Sequence, residues 1–70
     1  MAKVTKVLNV NGMSCSHCVN AVKTAVGGLD GVDNVVVDLE GKTVTVEFDA
    51  EKLTVDDIKN AIEDQGYDVV

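Results

Sequence analysis

Apolar and polar residues alternate along the chain with two periods, and the changes of period mark its elements. Between Val4 and Val10, Leu8 and Val10, with Gly12 in the same phase, alternate with Val7, Asn9 and Asn11, which predicts a strand. From about Ser16 to Val26 the spacing widens to Val19, Val22 and Val26, flanked by Cys18, Ala25 and Leu29. That is a helix with one buried face, ended by Gly27-Gly28 and Gly31. Val35, Val37 and Leu39 predict a second strand, Glu40-Gly41-Lys42 a tight turn, and Thr43 to Phe48 the clearest strand of all. There Val44, Val46 and Phe48 share one side, and Thr43, Thr45 and Glu47 the other.

The second helix carries its own start and stop signals. Thr54 is a good N-cap, and Asp57 occupies the capping-box position with the shorter carboxylate. Leu53 can staple onto Ile58. Asp56 and Asp57 suit the positive end of the helix dipole. Ile58, Ala61 and Ile62 form the buried stripe, and Gly66 is a natural cap at the far end. Tyr67 to Val70 completes the chain as a short strand.

The order is therefore β-α-β-β-α-β in a single domain, residues 1–70. Strands with one wet face call for a sheet covered on one side only. The fold class that follows is α+β: a ferredoxin-like βαββαβ sandwich, with a four-stranded antiparallel sheet and both helices on one face. That fold hosts many functions, so it does not choose among them.

Composition narrows the choice. With no tryptophan and only Phe48 and Tyr67 as aromatics, the core must come from Val, Leu, Ile and Ala. A formal charge of −6 speaks against nucleic acid and against an anionic membrane surface, and favours a protein partner with a basic or neutral face. No apolar run exceeds Val35 to Val37, so neither a transmembrane span nor a signal-peptide core is expected, and the chain reads as cytoplasmic. Thiols stay reduced in that compartment, which favours metal binding or catalysis over a structural disulfide.

The chemistry concentrates in Gly12-Met13-Ser14-Cys15-Ser16-His17-Cys18, which holds both cysteines of the chain. If Cys15 lies just before the first helix and Cys18 in its first turn, free backbone N–H groups favour both thiolates. Two thiolates without a further strong ligand suit a soft monovalent ion such as Cu(I). Structural zinc wants four ligands, and the chain offers two Cys and one His. An ion held this way keeps an open side, where an incoming thiolate can add before the first ones leave.

Thiol–disulfide exchange is the next reading. Thioredoxin-like folds are longer, however, and usually place a cis-proline beside the disulfide; this chain has no proline. Inert packing of the two cysteines comes last. His17, between the thiols, is read as a tuning or solvated neighbour rather than a ligand. Met13 could donate a thioether to copper but is favoured as a core plug. Tyr67 is placed to approach the loop while filling the core edge with its hydroxyl in water. Asp56, Asp57, Glu63 and Asp64 read as a solvated helix face.

The loop resembles the G-M-x-C-x-x-C signature of heavy-metal-associated domains. The likeness continues through Gly31-Val32, Val35 to Val37, Val44 to Asp49 and Ala61 to Tyr67, and so covers essentially the whole chain. Within that family the loop and the Gly66-Tyr67 segment are most similar to bacterial copper chaperones.

The resemblance implies Cu(I) held by Cys15 and Cys18, Met13 buried beneath the loop, and His17 and Tyr67 modulating the site. It implies a non-enzymatic carrier whose partner is the N-terminal domain of a copper-exporting P-type ATPase; some members also deliver copper to a repressor. Relatives that move zinc or cadmium often carry an acidic residue directly before the first cysteine. Ser14 stands there in this chain, which tilts the expectation toward copper.

Two departures shape the picture. Eukaryotic members tend to have lysine where Tyr67 stands and a basic docking surface, so steering of that kind is not expected of this acidic chain. Mercury-binding periplasmic relatives carry an export signal, and none is seen here. The same chemistry would serve an excised ATPase domain, and a thiol–disulfide oxidoreductase is the remaining alternative. The carrier is expected to be a monomer without metal, and copper could bridge two copies through four facing thiolates.

Overall fold

The computed structural model describes residues 2–13 and 16–70 of the chain. The elements follow in the order β1 (Lys3–Asn11), α1 (Ser16–Gly27), β2 (Val32–Asp38), β3 (Thr43–Asp49), α2 (Val55–Asp64) and β4 (Asp68–Val69). The four strands form one sheet in the order β2-β3-β1-β4, and every neighbouring pair is antiparallel. This is the expected α+β, ferredoxin-like arrangement.

Alternation along the strands decides what is buried. Val44, Val46 and Phe48 of β3 face inward with Val10 of β1, and the two helices close over them with Val22, Val26, Ile58 and Ile62. Removing each of these side chains from water contributes about 1.5–3 kcal/mol, so the aliphatic core carries the fold with a single buried phenylalanine. Val7 and Thr45 are paired, as are Val36 and Thr45, which sets the two valines in one row on the sheet's opposite face. Val7 is 60% and Val36 54% exposed there.

β2 departs from the sequence pattern. It starts at Val32 rather than Val35, and its register against β3 slips between Val32 and Asn34. The extra residue at the bulge lets Val32 and Val35, three apart, both pack on the core. Leu39, expected on this strand, lies instead in the turn and is 37% exposed. The strand ends one residue earlier because Asp38 turns the chain: its Oδ1 accepts the Gly41 N–H at 3.0 Å. Lys42 then takes φ +56, and its carbonyl accepts the Val10 N–H at 2.8 Å, tying the turn to β1.

α1 runs through Gly27, and the Gly28 N–H still donates to the Thr24 carbonyl at 3.1 Å. The left-handed residue of this connection is Gly31, φ +102, not the Gly27-Gly28 pair. A Cβ there would lie 2.6 Å from Leu53 Cδ2 and 2.8 Å from Lys52 Cβ, so close packing as well as φ demands glycine.

α2 begins as expected. Thr54 Oγ1 accepts the Asp57 N–H at 3.3 Å, and Asp57 Oδ2 accepts the Thr54 N–H at 2.9 Å, completing the capping box. Its C-cap is Gln65, with Gly66 next at φ +92 donating its N–H to Glu63. β4 is shorter than expected: Tyr67 precedes it, and Val70 follows with an N–H donated to the Asn9 carbonyl at 2.9 Å.

Candidate metal centre

The register of β1 gathers the candidate residues at one end of the molecule. Asn11, the last residue of β1, pairs with Asp68 at the start of β4, so the segment after β1 and the segment before β4 emerge side by side. The first contributes Gly12 and Met13, the second Gly66 and Tyr67. Gly12 has φ +100, a conformation open to glycine, and a Cβ on it would approach Tyr67 Cδ1 to 3.3 Å. Tyr67 is half-buried, packs against the core and lies beside Gly12 at the start of the loop.

Met13 is 7% exposed and belongs to the core cluster with Val10, Val22 and Ile62. It anchors the loop from below, which agrees with its reading as a core plug.

Cys18 is the third residue of α1, in its first turn, half-buried and packed against the same cluster. The first backbone N–H groups of a helix lack intrahelical acceptors, and their dipoles lower the cost of a thiolate. His17, one residue earlier, is exposed on α1. Its position agrees with a solvated neighbour. Ser14 and Cys15, and with them the convergence of the two sulfurs, lie outside the described residues.

Other parts of the molecule compete poorly for an ion. Among the described residues no group of three or more His, Cys, Asp or Glu is gathered closely enough to hold one, which leaves the loop as the candidate. A shallow groove of about 250 Å³ opens at the other end of α1, lined by Lys23, Gly27, Val32, Asp33, Asn34 and Val35, and it presents no sulfur. No helix among the described residues is long and apolar enough to cross a membrane.

Several carboxylates, and Lys42, lie at the same end of the molecule as the loop. Lys42 approaches β1 through its carbonyl, so the β2–β3 turn, with Asp38 and Glu40, lies at the same end as the loop. Glu63 and Asp64 end α2 there, and Asp68 opens β4. The α2 carboxylates are exposed, as a solvated helix face requires. That they share this end with Asp38, Glu40, Lys42 and Asp68 follows from the strand register, which no local signal in the sequence reveals.

Comparison with known proteins matches this arrangement. The family model of the heavy-metal-associated domain matches residues 7–68. The copper chaperone CopZ of Bacillus subtilis (strain 168) is 64% identical over 64 residues, covering 91% of this chain and 93% of that protein. Among solved structures, a CopZ metallochaperone superposes with a TM-score of 0.94 at 51% identity, covering 96% of this chain and all of its own. The Cu(I)-loaded N-terminal domain of a potential copper-translocating P-type ATPase from Bacillus subtilis superposes at 0.91 with 30% identity, covering 99% of this chain and 85% of that one.

Proposed function

The chain belongs to the heavy-metal-associated domain family, and from that premise we propose that it is a copper chaperone. It takes Cu(I) as cargo on the thiolates of Cys15 and Cys18 and passes it by thiolate exchange to the N-terminal domain of a copper-exporting P-type ATPase. The observation that carries this reading is the placement of Cys18: half-buried in the first turn of α1, beside a loop rooted by Met13 in the core. Soft sulfur donors select a soft monovalent ion, and two of them leave it room to accept a third.

The surrounding residues divide the remaining work. Met13 holds the loop down and Tyr67 backs it at Gly12. His17 tunes the thiolates from the solvent side through its own charge, and Ser14 keeps a hard carboxylate away from the ion. The carboxylates of Asp38, Glu40, Glu63, Asp64 and Asp68 at this end of the molecule favour a partner with a basic or neutral face. A copper-responsive repressor could receive the ion by the same exchange. At high copper, two copies facing loop to loop would offer four thiolates to a small cluster; sedimentation with Cu(I) is expected to show the dimer, and an unchanged monomer mass rejects it.

The ATPase-domain likeness supports the partner, because donor and acceptor of similar fold can present matching loops. It also keeps a second reading open, in which the chain is itself such a domain. The length of the native open reading frame separates the two.

The deciding experiment is titration of the reduced protein with Cu(I) against a competing chelator. High-affinity uptake is expected from the native chain, with loss in Cys15→Ser and in Cys18→Ser. Undiminished uptake in either variant rejects the thiolate pair. Copper transfer to an isolated ATPase N-terminal domain tests the delivery step, and retention of the ion by the loaded chain rejects it.

A further inference from the structure

We propose that Asn11 is a site of spontaneous deamidation, a modification that converts the residue at the root of the Gly12 loop to aspartate or isoaspartate. Asn11 is followed by glycine, whereas Asn9, Asn20, Asn34 and Asn60 precede valine or alanine. The reaction needs the next residue's backbone nitrogen to reach the side-chain carbonyl carbon, and a following side chain obstructs that approach.

The surroundings of Asn11 leave it poorly protected. It is the last residue of β1 and is exposed, and the chain turns immediately through Gly12 at φ +100. Pairing of β1 with β3 ends at Asn9 and Thr43, and the Val10 N–H is the last to reach that side, at Lys42. Asn11 is therefore held from one side only, by the two-residue β4 near the end of the chain. A pairing only two residues long opens locally at low cost. Among the described residues neither the Gly12 N–H nor the Asn11 side-chain amide has a hydrogen-bond partner, so the pairing with β4 is the restraint that must open.

In the reaction, hydroxide takes the Gly12 amide proton and the nitrogen attacks Cγ of Asn11. The N–Cγ bond forms, the Cγ–NH2 bond breaks, and the amino group leaves as ammonia with a proton from water, which regenerates hydroxide. Water then adds to either carbonyl of the five-membered imide. Opening at Cγ gives aspartate; opening at the main-chain carbonyl gives isoaspartate. The net change consumes one water and releases one ammonia.

Both products act on the loop through β4. Aspartate at position 11 sets a carboxylate directly opposite Asp68, and like charges at opposed strand positions repel. Isoaspartate adds a carbon to the backbone and shifts everything beyond it relative to β4, including Gly12 against Tyr67. Tyr67 is the sole tyrosine in a chain without tryptophan, so its emission reports this contact directly.

The test incubates the intact, reduced, folded chain at mildly alkaline pH and follows each asparagine by peptide mapping and mass spectrometry. Residue 11 is expected to gain the mass of an acid before Asn9, Asn20, Asn34 or Asn60, with a shift in Tyr67 emission that Asn11→Gln suppresses. An intact Asn11 amide while another asparagine converts overturns the proposal. Conversion of Asn11 only in denaturant also overturns it, because β4 would then suffice to protect the site. A separate Asn11→Asp variant is expected to show a lowered denaturation midpoint; an unchanged midpoint overturns the repulsion with Asp68.

Discussion

The ring of Tyr67 lies over the backbone of Gly12, so that a Cβ on that glycine would sit 3.3 Å from Tyr67 Cδ1 and 3.9 Å from Tyr67 Cα. Two residues 55 positions apart thus define the entrance to the loop. The contact depends on Gly66 turning the chain at φ +92 and on β4 pairing with the end of β1. It is a tertiary device built from two local turns.

Gly12→Ala is expected to destabilise the chain by about 1–3 kcal/mol, the usual cost of a side chain held in a sparsely populated backbone region. The crowding against Tyr67 adds to the strain at φ +100. Urea denaturation measures the loss, and Tyr67 emission in the native state shows whether the ring has been displaced. A variant as stable as the native chain would show that the loop relaxes without cost.

Thr54→Ala removes the hydroxyl that accepts the Asp57 N–H and is expected to cost about 1 kcal/mol. Asp57→Ala removes the reciprocal bond to the Thr54 N–H. Because the two bonds share one turn, the double variant should lose less than the sum of the singles. Denaturation midpoints of the three variants form the cycle that checks this.

Ile58→Ala opens a cavity under α2, where the native side chain is fully buried beside Ile62. The expected loss is about 2–5 kcal/mol, a large fraction of what so small a domain can hold. Ile58→Val should cost only about 0.5–1.5 kcal/mol. If both variants unfold at the native midpoint, α2 does not carry the core.

Among the described residues, Lys42 is the non-glycine residue with positive φ, +56, in the β2–β3 turn. An L-residue in this conformation costs roughly 1–2 kcal/mol relative to the right-handed one, and glycine escapes that cost. Lys42→Gly is therefore expected to leave stability unchanged or raise it by up to about 1 kcal/mol, read by thermal unfolding. A marked loss would mean that the lysine side chain contributes more than its backbone strain.

Two surface groups contribute to the pH dependence of stability. The Glu51 N–H donates to Asp49 Oδ1 at 2.9 Å, which holds that carboxyl below its ordinary value of 3.8 despite partial desolvation. Its contribution is present above pH 3.8 and is lost as pH falls through the lower folded value. Lys3 donates to Asp33 Oδ2 at 2.7 Å, and that bond with the nearby negative charge raises the ammonium above 10.5. Its contribution is present below 10.5 and disappears as pH rises through the folded value. Melting temperatures across pH should lose their acid response in part with Asp49→Asn and their alkaline response in part with Lys3→Met. Both effects are small, because the groups are solvent-exposed.

The elements whose signals are local could be read directly from the residues. Val44, Val46 and Phe48 alternate with Thr43, Thr45 and Glu47 because β3 has one dry face, and the capping box of α2 is spelled by Thr54 and Asp57. Where the strand period breaks, reading along the chain fails. The bulge at Asp33 brings Val32 into phase with Val35, and Asp38 ends β2 before Leu39. Val7 and Val36 fall out of phase with Leu8, Val10, Val35 and Val37 in the sequence, and they lie on the uncovered face.

By itself, then, the sequence determined the element order, the aliphatic core and the loop that holds both thiols, since each rests on periodicity or on short-range spacing. Only the tertiary structure decided that Tyr67 covers Gly12 and that Asp38, Glu40, Glu63, Asp64 and Asp68 share one end of the molecule. Those relationships depend on strand register and on the return of β4 to β1. Register is a property of how whole faces fit together, and a chain read one residue at a time does not contain it.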